Sequence, residues 1–263
     1  MRQICDGFVT CQVHENRVLM SVRFTDVANR DLPLRAQTPV KLGWVFALAC
    51  GVSAVLLGAG FMQDLILYSG AKPELSNKIW LLDVDSEESA FTWLSVVVAF
   101  SAAWLLFLAS RDAAMRGSRF KYHWYALTVL FLLLSFDEFA GIHEKISAGL
   151  SGRMEHTGLM YFAWAAPAGI LSLIGLVAFV PFIRSFSLAL AALLVLSALI
   201  FLGGAVGFEM IGGSVAEVEG IESFRYRVLT NLEEGLEMAG ILIFIYVLLC
   251  HLKRSGVTLH PSV

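Results

Sequence analysis

Six long apolar segments dominate the sequence of this 263-residue chain. Each is close to the roughly 20 residues that an α-helix needs to cross the hydrocarbon core of a bilayer. Only 16% of the residues are charged, whereas about a quarter are charged in an average soluble domain. The sequence therefore predicts an all-α, polytopic membrane bundle of about six transmembrane helices, over residues 43–66, 90–110, 122–143, 158–183, 186–210 and 230–252.

Proline, acidic residues and glycine predict where these helices begin, bend, end and pack. Pro167 is expected to kink the fourth helix, and Pro181 to help end it. Asp85-Ser86-Glu87-Glu88 is typical of an N-terminal capping segment for the second helix. Small residues let helices approach closely, which is the role expected for six glycines of the first and fifth segments: Gly51, Gly58, Gly60, Gly203, Gly204 and Gly207.

Lysine and arginine predict the orientation of the bundle. They precede the first segment, cluster between the second and third, and follow the sixth. Because short cytoplasmic loops are enriched in these residues, both termini are expected in the cytoplasm. The chain then divides into an N-terminal segment (1–40), a transmembrane domain (41–254) and a short tail (255–263). The basic residues form no single patch, so nucleic acid is not an expected partner, whereas the lipid bilayer is.

The N-terminal segment has a pattern of its own. Residues 9–24 alternate between apolar and polar around a His-Glu-Asn-Arg centre, which predicts a β-hairpin unless the segment is disordered. Cys5, Cys11 and His14 lack a fourth ligand and fit no common zinc spacing, so they do not indicate a zinc site.

Acidic residues interrupt the apolar segments near one end of three helices. At about 1.5 Å rise per residue, Asp137 lies roughly 24 Å from Lys121, which puts it inside a hydrocarbon core about 30 Å thick. Glu237 lies at a similar depth in the sixth helix, which runs the other way. The predicted topology brings these groups to the outer leaflet. On a straight helix, Asp137, Gly141 and Glu144 would also share one face.

Ionisable side chains at this depth usually face the bundle interior and need partners. Several carboxylates together repel one another unless they are protonated or bridged by a cation. Oxygen-rich ligand sets favour manganese, iron, magnesium or calcium. The sequence thus indicates a divalent-metal site, with eight candidate ligands: Asp137, Glu138, His143, Glu144, Glu209, Glu233, Glu234 and Glu237.

Structural alternatives exist for several of these residues. Glu233 and Glu234 follow Thr230-Asn231 and could be capping acids at the start of the sixth helix. Glu209 precedes a double glycine and could mark a helix exit. Asp64, near the outer end of the first helix, is a weaker candidate for the polar site. His156 and Tyr161 are expected near that site.

The segment Ser-Phe-Asp-Glu-Phe-Ala-Gly-Ile-His-Glu (135–144), followed by Glu-Glu-x-x-Glu (233–237), resembles a group of uncharacterised multi-pass bacterial membrane proteins. Those proteins carry a Ser-Leu-Asp-Glu…His-Glu sequence, and the resemblance covers the third to sixth helices. It implies a bacterial cell membrane, hence the inner membrane, and a shared polar site. It implies no particular activity.

Three function classes remain open. The first is a metal-binding protein or metal-dependent enzyme that acts on a lipid or small molecule. The second is a cation- or proton-coupled transporter, which requires polar groups that continue toward the cytoplasmic side, where the sequence has few. The third is an accessory subunit with a membrane-protein partner. The Glu-x-x-His pairs of soluble di-iron bundles are missing, so redox chemistry is not indicated.

Overall fold

A computed structural model describes residues 42–69, 78–151 and 157–255, and the structural statements below concern these residues. The predicted hairpin at 9–24 lies outside them, as do Cys5, Cys11, His14 and His156.

The described residues fold into α-helices with short connections. Turns of 3-10 helix occupy Trp80–Leu82 and Gly158–Met160, and a π-helical segment, Gly203–Phe208, joins the sixth helix to the seventh. The α-helices are α1 (Leu42–Tyr68), α2 (Ala90–Met115), α3 (Lys121–Ala140), α4 (Ile142–Ser151), α5 (Ala165–Ile183), α6 (Leu188–Leu202), α7 (Glu209–Glu219) and α8 (Phe224–Arg254). The predicted all-α polytopic bundle is confirmed.

Within the described ranges, five helical stretches are long and apolar enough to cross a membrane: α1, α2, α5, α6 continued through α7, and α8. Helices α3 and α4 together make a sixth if they count as one bent span. Because consecutive spans alternate in direction, the ends of α1, α4 and α7 meet the starts of α2, α5 and α8. We call this the site end of the bundle, and the other the opposite end.

Helix α8 lies at the centre and packs against α1, α2, α6 and α7. Its buried residues, among them Phe244 and Leu248, join Ala102 and Leu106 of α2 in one apolar core. By contrast, few residues of α5 are buried inside the protein, so much of this helix is left to face lipid.

The third predicted segment is not one straight helix. Gly141 adopts a left-handed conformation (φ +53°) that ends α3, and α4 departs from it at 73°. A non-glycine residue pays a steric penalty in that conformation. The expectation that Asp137, Gly141 and Glu144 share one helical face is therefore wrong.

Helix starts also differ from the predictions. Pro167 lies in the first turn of α5, where backbone N–H groups need no helical partner, so it does not interrupt the helix. Ser89, rather than residues 85–88, caps α2, because its side chain accepts a 3.0 Å hydrogen bond from the Thr92 N–H.

The capping interpretation of Glu233 and Glu234 is wrong. Helix α8 begins at Phe224, where the Ser223 side chain accepts a 3.2 Å hydrogen bond from the Tyr226 N–H. The two glutamates consequently lie well inside α8. Glu209 does not mark a helix exit either, because α7 starts there and continues to Glu219.

Two of the six predicted glycines lie at close approaches. A Cβ on Gly60 would fall 2.3 Å from a Val84 methyl carbon, and one on Gly204 would fall 2.7 Å from the carbonyl oxygen of Glu233. Nothing among the described atoms lies within 4 Å of a Cβ built on the other four. A close approach between helices is thus found at Gly204, which meets α8, whereas Gly60 meets Val84 of the loop before α2.

A close approach of α6 to α8 depends on Gly240. A Cβ there would fall 2.6–2.9 Å from the Cβ, backbone nitrogen and Cα of Phe201, and the Ser197 hydroxyl donates a 2.9 Å hydrogen bond to the Gly240 carbonyl. We expect Gly240→Ala to destabilise the protein by about 1–3 kcal/mol, because the two backbones must move apart. Gly58→Ala is the matched control, since its Cβ would meet open space. Thermal unfolding in detergent measures both, and equal melting temperatures would contradict the packing described.

Candidate functional site

The site end contains a cavity of about 770 Å³. The loop before α2, the end of α3, α4, the connection to α5, α7 and α8 all contribute to it. Its aromatic lining is Tyr161, Phe162, Trp164 and Tyr226, and its acidic lining is Asp85, Glu87, Glu138, Glu144, Glu209, Glu233 and Glu234. The described lining contains a single histidine, His143, and no lysine or arginine. The cavity therefore favours cations.

Three lining residues are close enough to hold one metal ion. Ligand atoms of Glu87, His143 and Glu144 all lie within 4.8 Å of one another. Gly141 makes this possible: a Cβ built on it would fall 3.1 Å from Oε1 of Glu87 and 3.4 Å from Oε2 of Glu144. The two carboxylates thus converge over the bend between α3 and α4.

Asp137 fixes both the bend and the imidazole ring. Its Oδ1 accepts a 3.0 Å hydrogen bond from the backbone N–H of His143, and its Oδ2 lies 2.9 Å from Nδ1 of the same residue. Because an ionised carboxylate can only accept, Nδ1 donates this hydrogen bond, which leaves Nε2 as the ring nitrogen that would bind a metal. A metal-ligating histidine is usually held by such a carboxylate.

The same histidine connects to a second group of acids. Its ring lies 5.0 Å from that of Trp164, whose indole N–H donates a 2.7 Å hydrogen bond to Oε1 of Glu209. Glu209 and Glu233 both line the cavity. A shared proton or a cation would stabilise neighbouring carboxyl groups.

The remaining candidates are Glu138, Glu234 and Glu237, and two of them line the cavity. Glu138 lines the cavity. Glu234 also lines it, whereas Glu237 packs against Gly204 and is not part of the lining. The structure therefore brings six of the eight predicted residues to one cavity. The other two, Asp137 and Glu237, do not line it: Asp137 contacts His143, and Glu237 contacts Gly204.

The loop before α2 carries two carboxyl groups with altered acidity. Burial raises the pKa of Glu87, and the neighbouring Glu144 carboxylate raises it further. Oε2 of Glu87 is buried without a hydrogen-bond partner among the described atoms. Burial also raises the pKa of Asp85, to about 6, although the Arg227 guanidinium opposes the shift.

Arg227 anchors this loop to α8. Its side chain is only 2% exposed, and its guanidinium contacts three aspartates: Nη1 lies 2.6 Å from Asp85, Nη2 bonds to Asp83, and Nε lies 3.4 Å from Asp64. Asn231 donates a 2.7 Å hydrogen bond to Asp64. Asp64 thus belongs to an ion-pair network and not to the cavity.

Three residues at or near the cavity were not predicted: Glu87, Trp164 and Arg227. Glu87 has the sequence signature of a capping acid, and nothing local indicates its partners 56 and 57 residues away. Trp164 resembles an ordinary interfacial aromatic. Only Asp64, a buried acid within an apolar segment, signalled that a basic partner such as Arg227 was needed.

Comparison with known proteins gives one match. A family model described as a domain of unknown function (DUF8692) matches residues 47–252, which include every residue of the cavity. No curated protein and no solved structure matches the chain.

Proposed function

We propose that this chain, which belongs to the DUF8692 family, binds a divalent metal ion between Glu87, His143 and Glu144 and uses it to act on a lipid or small molecule. The site lies at one end of a multi-pass helix bundle. By the distribution of lysine and arginine, that end faces away from the cytoplasm.

The observation that carries the proposal is the convergence of two carboxylates and one oriented imidazole within 4.8 Å. Two carboxylates at this separation repel each other, and one oxygen of Glu87 is buried without a partner. A divalent cation removes both costs. The Asp137–His143 pair supplies the outer contact that metal-ligating histidines commonly have.

The ligand types limit the metal. Two carboxylates and one imidazole suit manganese or iron better than copper, and the imidazole makes magnesium or calcium less favoured than either. Three protein ligands leave coordination positions for water or substrate, as in catalytic metal sites. A metal ion in that state polarises a substrate oxygen or activates a bound water.

The cavity volume supports a substrate beside the metal. About 770 Å³ lies within the range of small-molecule sites and far exceeds the volume of a bare ion. Tyr161, Phe162 and Trp164 provide an apolar wall. Since the cavity is at the end of apolar spans, a lipid headgroup or a small polar molecule can reach it.

A transmembrane ion path is less well supported. Between the cavity and the opposite end, the hydroxyls of Thr128, Ser135 and Ser197 each donate to a backbone carbonyl. The surrounding described core is apolar. A transporter needs polar groups that continue across the bundle, so we favour a one-sided site.

The test is metal binding by the purified protein. We expect close to one Mn²⁺ per chain by equilibrium dialysis in detergent. Vesicles containing the protein should show no manganese or proton flux, whereas flux would favour the transporter. Failure to bind manganese, iron, magnesium or calcium above the level of empty micelles would refute the proposal.

Asp137→Asn tests the orientation of the imidazole. We expect manganese affinity to fall about 10- to 100-fold, the usual cost of removing an outer contact to a ligating histidine. The amide still caps the His143 N–H, so the bend should persist. Isothermal titration with Mn²⁺ measures the change, with Asp112→Asn, far from the cavity, as control. Unchanged affinity would mean that Asp137 serves only the bend.

A further inference from the structure

A second cavity, of about 260 Å³, lies at the opposite end of the bundle. The start of α3, the end of α5, the start of α6 and the end of α8 form it. Its polar lining consists of Ser118, Ser185, Ser187, His251 and Arg254, and no acidic residue is among the described lining. It shares no residue with the metal site proposed above.

Two helix N-termini meet at this cavity. Phe120 and Ser187 are the N-cap residues of α3 and α6, and both line it. Neither side chain bonds to the backbone of the helix it precedes. At α3, Ser118 already accepts from the N–H groups of Phe120 and Lys121, so the positive end that favours an anion at this cavity is that of α6.

Arg254 adds a full positive charge to the partial positive charge of the helix N-terminus. Its Nη1 donates a 3.3 Å hydrogen bond to Oγ of Ser187, so the guanidinium lies at the start of α6. Ser118 accepts a hydrogen bond from the Phe120 N–H through its oxygen and retains a hydroxyl proton to donate. Guanidinium, hydroxyl and helix N–H groups are the usual ligands of phosphate.

The surrounding charge has the same sign. In the described residues of this end (42–50, 108–125, 180–192 and 248–255), the acidic side chain is Asp112, which is paired with Arg116 at 2.8 Å. The basic side chains are Arg111, Arg116, Arg119, Lys121, Arg184, Lys253 and Arg254.

The other wall of the cavity is the edge of a buried aromatic cluster, in which Trp124 is 5% and Phe182 2% exposed. The rings of Trp124 and His251 lie 4.9 Å apart, and those of Trp124 and Phe182 lie 5.0 Å apart. Leu188, in the first turn of α6, is 87% exposed and therefore faces the bilayer. A ligand here has a polar part among cationic groups and an apolar part beside lipid.

We infer that this cavity binds the phosphate group of an anionic phospholipid from the leaflet at the opposite end. Arg254 and the N-terminus of α6 contact the phosphate, and the upper acyl carbons lie beside Leu188. The exposed Leu188 next to these cationic groups favours a lipid over free phosphate. By the lysine and arginine distribution this is the cytoplasmic leaflet, where anionic lipids attract basic residues.

Native mass spectrometry of the full chain in detergent tests the inference. Phosphatidylglycerol and phosphatidylcholine are added at equal concentration, and inorganic phosphate is added alone in a separate arm. We expect phosphatidylglycerol to be retained about tenfold more than phosphatidylcholine, in line with the binding of anionic lipid by basic pockets between helices. Arg254→Gln should reduce phosphatidylglycerol retention about five- to tenfold.

Lys253→Gln is the matched control. It is adjacent, exposed and equally charged, but it does not line the cavity. Because both side chains are exposed, both variants should fold like the parent. Equal losses in the two variants would mean non-specific attraction and would overturn the inference. Equal retention of the two lipids, or displacement of phosphatidylglycerol by millimolar phosphate, would also overturn it.

Discussion

Replacing Arg227 by methionine is expected to destabilise the folded protein by about 3–5 kcal/mol, the usual cost of removing one member of a buried ion pair. The guanidinium is 2% exposed, and its loss leaves Asp64, Asp83 and Asp85 without their shared cation. Lys78, which contacts Asp83 at 2.5 Å, compensates only one of the three. The free energy of unfolding, measured by titration with denaturing detergent, should show this loss.

Arg225→Met is the control for this experiment. Arg225 is two residues away, but its side chain is 69% exposed and pairs with Glu219 at the surface. Exposed pairs of this kind contribute about 0–1 kcal/mol. If the two methionine variants were equally stable, Arg227 would not anchor the loop before α2.

The second large effect concerns the metal ligands themselves. Glu87→Gln combined with Glu144→Gln should lower manganese affinity more than a hundredfold, since it removes both charged ligands, whereas losing an outer contact alone costs about 10- to 100-fold. The folded state should be retained, because the change also removes the repulsion between the two carboxylates. Equilibrium dialysis with Mn²⁺ measures the affinity, and thermal unfolding checks the fold.

Glu88→Gln is the matched control for the double variant. Glu88 is adjacent to Glu87 and exposed, and it does not line the cavity. Its manganese affinity should stay within about twofold of the parent, as exposed charges contribute little. A double variant that binds manganese as well as Glu88→Gln would remove Glu87 and Glu144 from the site.

The sequence predicted the architecture well because the bilayer imposes it. In a bilayer, the backbone N–H and C=O groups of an apolar segment of about 20 residues find their hydrogen-bond partners within a spanning helix. The positions of the helices therefore followed from the length and composition of the segments. Helix ends were less accurate. The left-handed Gly141 turns the third segment through 73°, and a glycine inside an apolar segment is equally compatible with a straight helix.

The residues around the cavity were predicted in part. Asp137, His143 and Glu209 are recognisable because ionisable residues in apolar segments need partners. Glu87 was missed because a short acidic stretch before a helix is typical of a cap. Its proposed role depends on its proximity to His143 and Glu144, and no local pattern specifies such distant pairs. Arg227 was missed for the same reason, since Asp64 lies 163 residues before it.

Crystallographic location of bound manganese tests the central claim most directly. Crystals grown with Mn²⁺ should give an anomalous difference peak about 2.0–2.6 Å from carboxylate oxygens of Glu87 and Glu144 and from Nε2 of His143. The peak should be absent from crystals of the double glutamine variant. No peak at saturating manganese, or a peak only at other carboxylates of the cavity, would contradict the account.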